Sequence, residues 1–89
     1  MKKTDLIAKI NEGISRGKTF MVVKIATEGN PAPEIIINSA ENFDKKLGYY
    51  LNAYNDDLEL ITAKQTGKSI RIIDVHMTNN LSDLTWFAY

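Results

Sequence analysis

Asp74 and His76 are the residues of this 89-residue sequence whose types and spacing come nearest to a catalytic pair. They lie two positions apart in a segment predicted to be a strand, so their side chains should project from the same face. A carboxylate beside an imidazole can transfer protons or supply half of a metal site. The sequence has no cysteine, and no third ligand or nucleophile stands at a suitable spacing. The pattern therefore favours a solvated strand end over an enzyme.

Two other segments resemble binding motifs in composition only. Residues 55–59 (Asn-Asp-Asp-Leu-Glu) cluster the oxygen ligands that calcium prefers, but they lack the alternating acidic positions, central glycine and terminal glutamate of an EF-hand loop. Residues 66–68 (Thr-Gly-Lys) match only the end of a phosphate-binding loop, because the earlier glycine is missing and no helix is predicted to follow. We expect residues 55–59 to form a solvated turn or a docking surface. No metal, cofactor or catalytic residue is predicted.

Aromatic residues at the end of the chain are the most prominent candidate contact surface. Three of them lie within the last five residues, and each ring could bury on the order of 150–250 Å². They could fold back over the sheet or over the end of the second helix, or they could contact a partner protein or a second copy, because tryptophan and tyrosine are favoured interface anchors. The predicted partner-binding residues are Tyr49, Asp56, Asp57, Trp86, Phe87 and Tyr89.

Residues 19–27 are rich in β-branched and aromatic residues and are predicted to form a strand. Lys24 is expected to face water, with Phe20 and Val22 on its side and the alternate residues facing the core: Met21, Val23 and Ile25. An aromatic ring and cations on an open sheet face could bind single-stranded nucleic acid, which is the alternative function. The residues of that alternative are Phe20, Lys24, Lys64, Lys68 and Arg71.

The elements that must position these residues follow from periodicity and capping. A first helix is predicted to begin at Thr4 and to end before Gly17, with Gly13 favouring close approach to a neighbouring element over a hinge. Ser39 should cap a second helix, in which Tyr49 lies about 140° from the centre of the apolar stripe and should be exposed. The core stripe of that second helix contains Phe43, Leu47, Tyr50 and Tyr54.

Four strands are predicted, over residues 19–27, 34–38, 58–63 and 69–77. In the last strand, strict alternation places Ile73, Val75 and Met77 on one face and Ile70, Ile72, Asp74 and His76 on the other. The sequence therefore predicts an α+β fold in a single domain, residues 1–89. This fold would be a two-layer sandwich of a four-stranded sheet with both helices on one face, in the order αββαββ, followed by a short C-terminal tail or helical turn.

Composition narrows the class of partner. Eleven basic and eleven acidic residues cancel, so net charge does not direct the chain to nucleic acid or to anionic lipid. The apolar fraction of 44% and charged fraction of 25% are typical of globular domains and do not favour a membrane span. A chain without cysteine fits a reducing cytoplasm. Residues 41–62 carry five acidic and two basic groups, so any electrostatic preference should come from this segment.

Residues 34–60 (EIIINSAENFDKKLGYYLNAYNDDLEL), followed by SIRIIDV, resemble small uncharacterised proteins of phages and integrated mobile elements of Firmicutes. The shared features are a strand, a helix with an F-x-x-K-L-x-Y-Y pattern, an acidic Y-N-D-D-L exit and a strand with I-R-I-I-D. The resemblance covers residues 34–75 and implies no activity. Phage proteins of this size often bind host proteins as inhibitors or adaptors, so it implies a non-enzymatic accessory protein that binds another protein or self-associates.

Overall fold

The computed structural model describes residues 1–87. Short 3₁₀ turns at Ala40–Asn42 and Leu81–Asp83 precede the second and fourth helices. The helices are α1 (Lys3–Ser15), α2 (Phe43–Ala53), α3 (Ile61–Gln65) and α4 (Leu84–Phe87), and the strands are β1 (Phe20–Thr27), β2 (Glu34–Ser39) and β3 (Ile70–Thr78). The Tyr89 prediction lies outside the described residues.

The fold is α+β, but the predicted four-stranded sheet in the order αββαββ is wrong. Residues 1–87 form a three-stranded antiparallel sheet in the order β2-β1-β3, together with four helices. The expected strand at 58–63 survives only as a short bridge: the Leu60 amide donates to the Ile70 carbonyl at 2.7 Å, and the Ile72 amide to the Leu58 carbonyl at 3.0 Å. Leu58 has a φ of 60°, outside the strand region, and the chain becomes helical at Ile61, where alanine, lysine and glutamine favour a helix.

The core lies between one face of the sheet and helices α1 and α2. As predicted from the position of Lys24, the alternate residues of β1 face this core. Leu6 and Ile10 of α1 and Tyr50 of α2 pack against them and are almost completely buried. The buried core residues are Leu6, Ile10, Met21, Val23, Ile25, Phe43, Tyr50, Tyr54, Leu58, Ile72 and Val75. We call this side of the sheet the inner face.

A β-bulge changes the faces of β3. Lys24 pairs with Asp74, but the next residue, Ile25, pairs with Ile72, so Ile73 has no partner in β1. The extra residue shifts the alternation, and Ile72 and Val75 therefore both reach the inner face. The predicted division of this strand, with Ile73 and Val75 on one face and Ile72 on the other, is wrong for that reason.

Close approach of α1 to β3 explains Gly13. The glycine is buried, and a Cβ atom at this position would lie 2.4 Å from both Cβ and Cγ of Met77. Carbon atoms normally approach to about 3.5–4.0 Å, so a larger side chain would push the helix away from the sheet. Gly17 has a φ of 72° and follows the helix end, as the sequence predicts.

Candidate functional site

The C-terminal helix α4 lies on the sheet face opposite α1 and α2, which we call the outer face. Phe87 is 2% exposed, and its ring stacks on His76 with centroids 5.8 Å apart and an interplanar angle of 29°. The Lys24 ammonium lies 4.7 Å from the centroid of the same ring, within the range of a cation–π contact. Residues 84–87 therefore fold back over the sheet, which is one of the two alternatives predicted for the tail. The predicted helix layout is wrong, because α1 and α2 share one face of the sheet and α4 covers the other.

Asp83 holds α4 to the strand beneath it. Its carboxylate accepts a hydrogen bond from the Thr78 hydroxyl at 2.7 Å and lies 3.2 Å from His76 Nε2. The hydrogen bond from Thr78 and, next, that from His76 lower the pKa of Asp83 below its ordinary value. The turn before α4 is closed by Asn80, whose side chain accepts from the Ser82 amide at 3.0 Å.

Trp86 is left outside this anchored packing. It is 61% exposed, although its ring packs edge-on against His76 with centroids 4.9 Å apart and against Phe87 at 5.9 Å. The adjacent residue, Phe87, is buried against the sheet, whereas Trp86 faces water. A large ring held in place by two aromatic contacts, and still facing water, is the most prominent feature of the outer face.

Apolar side chains continue from Trp86 across the outer face. Ile37 of β2, Val22 of β1 and His76 of β3 are directly paired and form one row across the sheet. Val22 is fully buried, while Ile37 is 44% exposed at the opposite end of the row from the His76–Trp86 contact. We call the exposed and half-buried apolar residues of this side the outer-face surface: Phe20, Ile35, Ile37 and Trp86.

The predicted partner residue Tyr49 lies on the other side of the sheet. It is 50% exposed on α2, and its ring packs edge-on against Tyr50 at 5.6 Å and Tyr54 at 6.3 Å. Because those two tyrosines belong to the inner-face core, Tyr49 and Trp86 belong to separate surfaces. The structure does not bring together the aromatic residues of the single surface that the sequence suggested.

The acidic turn that contains Asp56 and Asp57 is held by the Asn55 side chain and by an ion pair of Asp57, whereas the Asp56 side chain is exposed. Asp57 forms an ion pair with Lys2, which lowers the pKa of the Asp57 carboxyl. The Asn55 side-chain oxygen accepts from the amides of Asp57 at 3.0 Å and Glu59 at 2.9 Å, while its amide donates to the Glu59 carboxylate at 3.1 Å. In residues 1–87, no group of three or more acidic, histidine or cysteine side chains is arranged to hold a metal ion. The turn is a capped structural element beside α1.

Asp74 and His76 do not form a joint site. The Asp74 carboxylate lies 3.3 Å from the Lys9 ammonium and accepts from the Val75 amide at 2.8 Å, whereas His76 contacts Asp83 and the aromatic rings of α4. A groove of about 240 Å³ between α1 and β3 is lined by His76 but not by Asp74. Each residue therefore has its own structural partner.

The residues of the nucleic-acid alternative are spread over several elements. Phe20, Lys24 and Arg71 occupy outer-face positions by their strand register. Lys24 is engaged with the Phe87 ring, and Lys64 of α3 forms an ion pair with Glu59 at 3.0 Å; Lys68 is exposed in the turn before β3.

The contribution of Thr78 and Asp83 was missed in the sequence. An asparagine followed three positions later by an aspartate, as in residues 78–83 (TNNLSD), is the pattern of a helix N-terminus. The pattern locates the helical turn after Asn80, but it does not indicate the hydrogen bonds of Asp83 with Thr78 and His76.

Comparisons of this chain with protein-family models, with curated proteins and with solved structures found no match. Within residues 1–87, none of the helices has the length and apolar character needed to cross a membrane. The fold and the site define an α+β domain with a three-stranded antiparallel sheet, whose outer face carries an anchored helix and an exposed tryptophan.

Proposed function

We propose that this chain is a non-enzymatic accessory protein that binds another protein, or a second copy of itself, through the outer-face surface. The observation that carries the proposal is Trp86, which is 61% exposed yet held by contacts with His76 and Phe87. Tryptophan is enriched among the residues that dominate binding energy at protein interfaces. An anchor whose position is already fixed loses little conformational entropy on binding, which favours affinity.

The arrangement around Trp86 supports a binding role over catalysis. Asp74 and His76, the candidate acid–base pair, are each held in separate structural contacts. Ile37 and Trp86, at the two ends of the sheet row, are apolar and exposed, and both would lose water-exposed area against a partner. We propose no catalytic residue and no cofactor.

The setting of this activity is part of the proposal. We place the protein in a phage or mobile element of Firmicutes, on the resemblance of residues 34–75 to such proteins. We place its action in the cytoplasm, on the same resemblance and on the composition of the chain. A host protein is the class of partner that this setting favours.

Affinity capture from a lysate of the host tests the proposal with two matched variants. Trp86→Ala removes the exposed ring of the outer face, and Tyr49→Ala removes a ring of similar exposure, 50%, from the opposite side. We expect Trp86→Ala to weaken capture of a specific partner by at least about tenfold, or 1.4 kcal/mol, and Tyr49→Ala to leave capture unchanged.

Three results would contradict the proposal. Loss of capture in Tyr49→Ala alone would move the binding site to α2. Unchanged capture in both folded variants would remove the aromatic surfaces from the interface. Binding to single-stranded nucleic acid that weakens steeply as salt rises would instead favour the alternative residues, because phosphate contacts release counterions.

A further inference from the structure

The two edge strands of the sheet, β2 and β3, differ in how well their outer edges are protected from pairing with another chain. At the outer edge of β3, residues 58–60 pair with the start of the strand through the Leu60–Ile70 and Ile72–Leu58 backbone hydrogen bonds. Beyond that point, the bulge at Ile73 interrupts the edge, and the Asp74 carboxylate takes up the Val75 amide at 2.8 Å. Bulges and charged side chains are devices that prevent an edge strand from pairing with another chain.

Within the described residues, the outer edge of β2 has no bulge and carries one charged side chain. Among residues 1–87, the backbone of β2 forms sheet hydrogen bonds with β1, and its other edge has no backbone partner. The strand sequence EIIINS combines three isoleucines with a single charge, Glu34, and contains no lysine or proline. Isoleucine strongly favours strands, so this edge is suited to accept a further strand.

We propose that β2 pairs antiparallel with β2 of a second copy, which joins the two sheets into one of six strands. This inference deepens the self-association branch of the proposed function and rests on it. A two-fold axis perpendicular to the sheet maps each face onto itself, so directly paired residues must project from the same face. The axis must therefore lie midway between one residue and the same residue of the second copy. The two central choices place Ile36 opposite Ile36 or Ile37 opposite Ile37.

Hydrogen bonding selects the first register. With Ile36 opposite its copy, Glu34 of each chain lies opposite Asn38 of the other. Both residues project from the inner face, since they pair with Ile25 and Met21 of β1. The Asn38 side-chain nitrogen is buried and has no hydrogen-bond partner among residues 1–87. The Glu34 carboxylate of the second copy supplies an acceptor at the matching position, twice in the dimer.

Apolar contacts on the outer face also favour the first register. Ile35 of one copy lies opposite Ile37 of the other, so the half-exposed isoleucines of both chains meet across the seam. In the second register, Asn38 lies opposite Ile36 and Ile35 opposite Ser39, which leaves the buried amide of Asn38 without an acceptor from the opposing strand.

Light scattering and single-cysteine cross-linking test this proposal on the full chain. The native sequence has no cysteine, so one introduced cysteine can form only an intermolecular disulfide. Directly opposed Cα atoms in an antiparallel pair lie about 4.5–5.5 Å apart, within the range of a disulfide. We expect a mass of about twice the 10.0 kDa of the chain, and rapid oxidation of the Ile36→Cys variant to a covalent dimer. Ile37→Cys should cross-link at least about tenfold more slowly.

A charge at the seam provides an independent variant. Ile37→Lys places an ammonium group against Ile35 of the second copy, and should raise the dimer dissociation constant at least about tenfold. Ile73→Lys is the matched control: Ile73 has a similar exposure, 36% against 44%, but lies at the protected edge of the sheet. It should leave the mass unchanged.

The outcomes separate this inference from the proposed function. A monomeric wild-type chain would overturn the dimer, even if Trp86-dependent capture of another protein persists. A dimer in which Ile37→Cys cross-links and Ile36→Cys does not would overturn the register. A dimer that resists Ile37→Lys and dissociates in Ile73→Lys would move the interface to the edge of β3. Failure of the capture experiment would leave the mass and the cross-link unaffected.

Discussion

Replacement of Gly13 by alanine tests the close packing of α1 on β3. The added Cβ atom would meet Met77 Cβ and Cγ at 2.4 Å and Met77 Cε at 3.0 Å. A favourable contact between carbon atoms is about 3.5–4.0 Å, so α1 or the Met77 side chain must move by roughly 1 Å. Gly48 is a matched control in α2, because a Cβ atom there would meet nothing within 4 Å.

Both substitutions gain the higher helix propensity of alanine, but only Gly13→Ala overpacks the contact with Met77. Alanine in a helix interior is favoured over glycine by about 0.5–1 kcal/mol. Overpacking of a dense core costs about 1–3 kcal/mol. Gly48→Ala should therefore raise the free energy of unfolding by about 0.5–1 kcal/mol, and Gly13→Ala should be less stable than Gly48→Ala by about 1–3 kcal/mol. For a domain of this size, that difference corresponds to roughly 4–24 °C in melting temperature.

Urea unfolding followed by circular dichroism measures both free energies. A second background isolates the contact: when Met77 is replaced by glycine, which removes both Cβ and Cγ, Gly13→Ala should lose its penalty and stabilise the protein as Gly48→Ala does. Equal stabilisation by Gly13→Ala and Gly48→Ala in the wild-type background would refute the packing argument. A penalty that persists in the Met77→Gly background would show that the Met77 side chain is not its cause.

Three further predictions concern titration and an unpaired hydroxyl. Hydrogen bonds lower the pKa of Asp83 below its ordinary value of 3.8, so the ionised carboxylate stabilises α4 above pH 3.8. This stabilisation is lost as pH falls through the lowered pKa. Trp86 fluorescence should report the loss in wild-type protein but not in Asp83→Asn. The Tyr50 hydroxyl is buried without a partner among residues 1–87, so Tyr50→Phe should stabilise by about 1 kcal/mol in urea unfolding; a loss of that size would mean that the hydroxyl is bonded. Burial raises the pKa of Tyr50 and Tyr54 from 10.0 to about 12, so the free energy of unfolding should fall as pH rises through this interval. In a titration followed by phenolate absorbance, these two tyrosines should ionise after the exposed ones. Ionisation of all tyrosines near pH 10 in folded protein would contradict the prediction.

Local pattern predicted much of the secondary structure but not its arrangement. The position of Lys24 assigned the faces of β1 correctly, because that strand is regular from end to end. The same reasoning failed in β3, where one extra residue at Ile73 reverses the alternation. A bulge has no periodic signal of its own. Isoleucines on both apparent faces of the segment were its only trace in the sequence.

Short segments between regular elements were the least predictable part of the fold. Residues 58–60 do pair with β3, but the positive φ of Leu58 and the helix that begins at Ile61 prevent a fourth strand. Leu58 is fully buried, so burial against the core fixes a backbone conformation that the residue type disfavours. Such tertiary effects override local propensity and do not appear in a single sequence.

The candidate site was anticipated only in its residue types. Aromatic composition pointed to Trp86 and Phe87. Which of the two rings is exposed and which is buried depends on where α4 packs on the sheet. That docking is fixed by the hydrogen bond between Thr78 and Asp83, which meet across the turn at residues 79–82. Tyr49 was correctly expected to be exposed, although the sheet separates it from Trp86.

Fluorine NMR of the chain labelled with fluorotryptophan is the most direct test of the outer-face surface. Trp86 is the single tryptophan, so one resonance reports on the proposed anchor. When the captured partner is added, we predict a large change in the position or width of that resonance, because the ring moves from 61% exposure into an interface. A complex that forms while the Trp86 resonance stays unchanged would contradict the proposed binding surface.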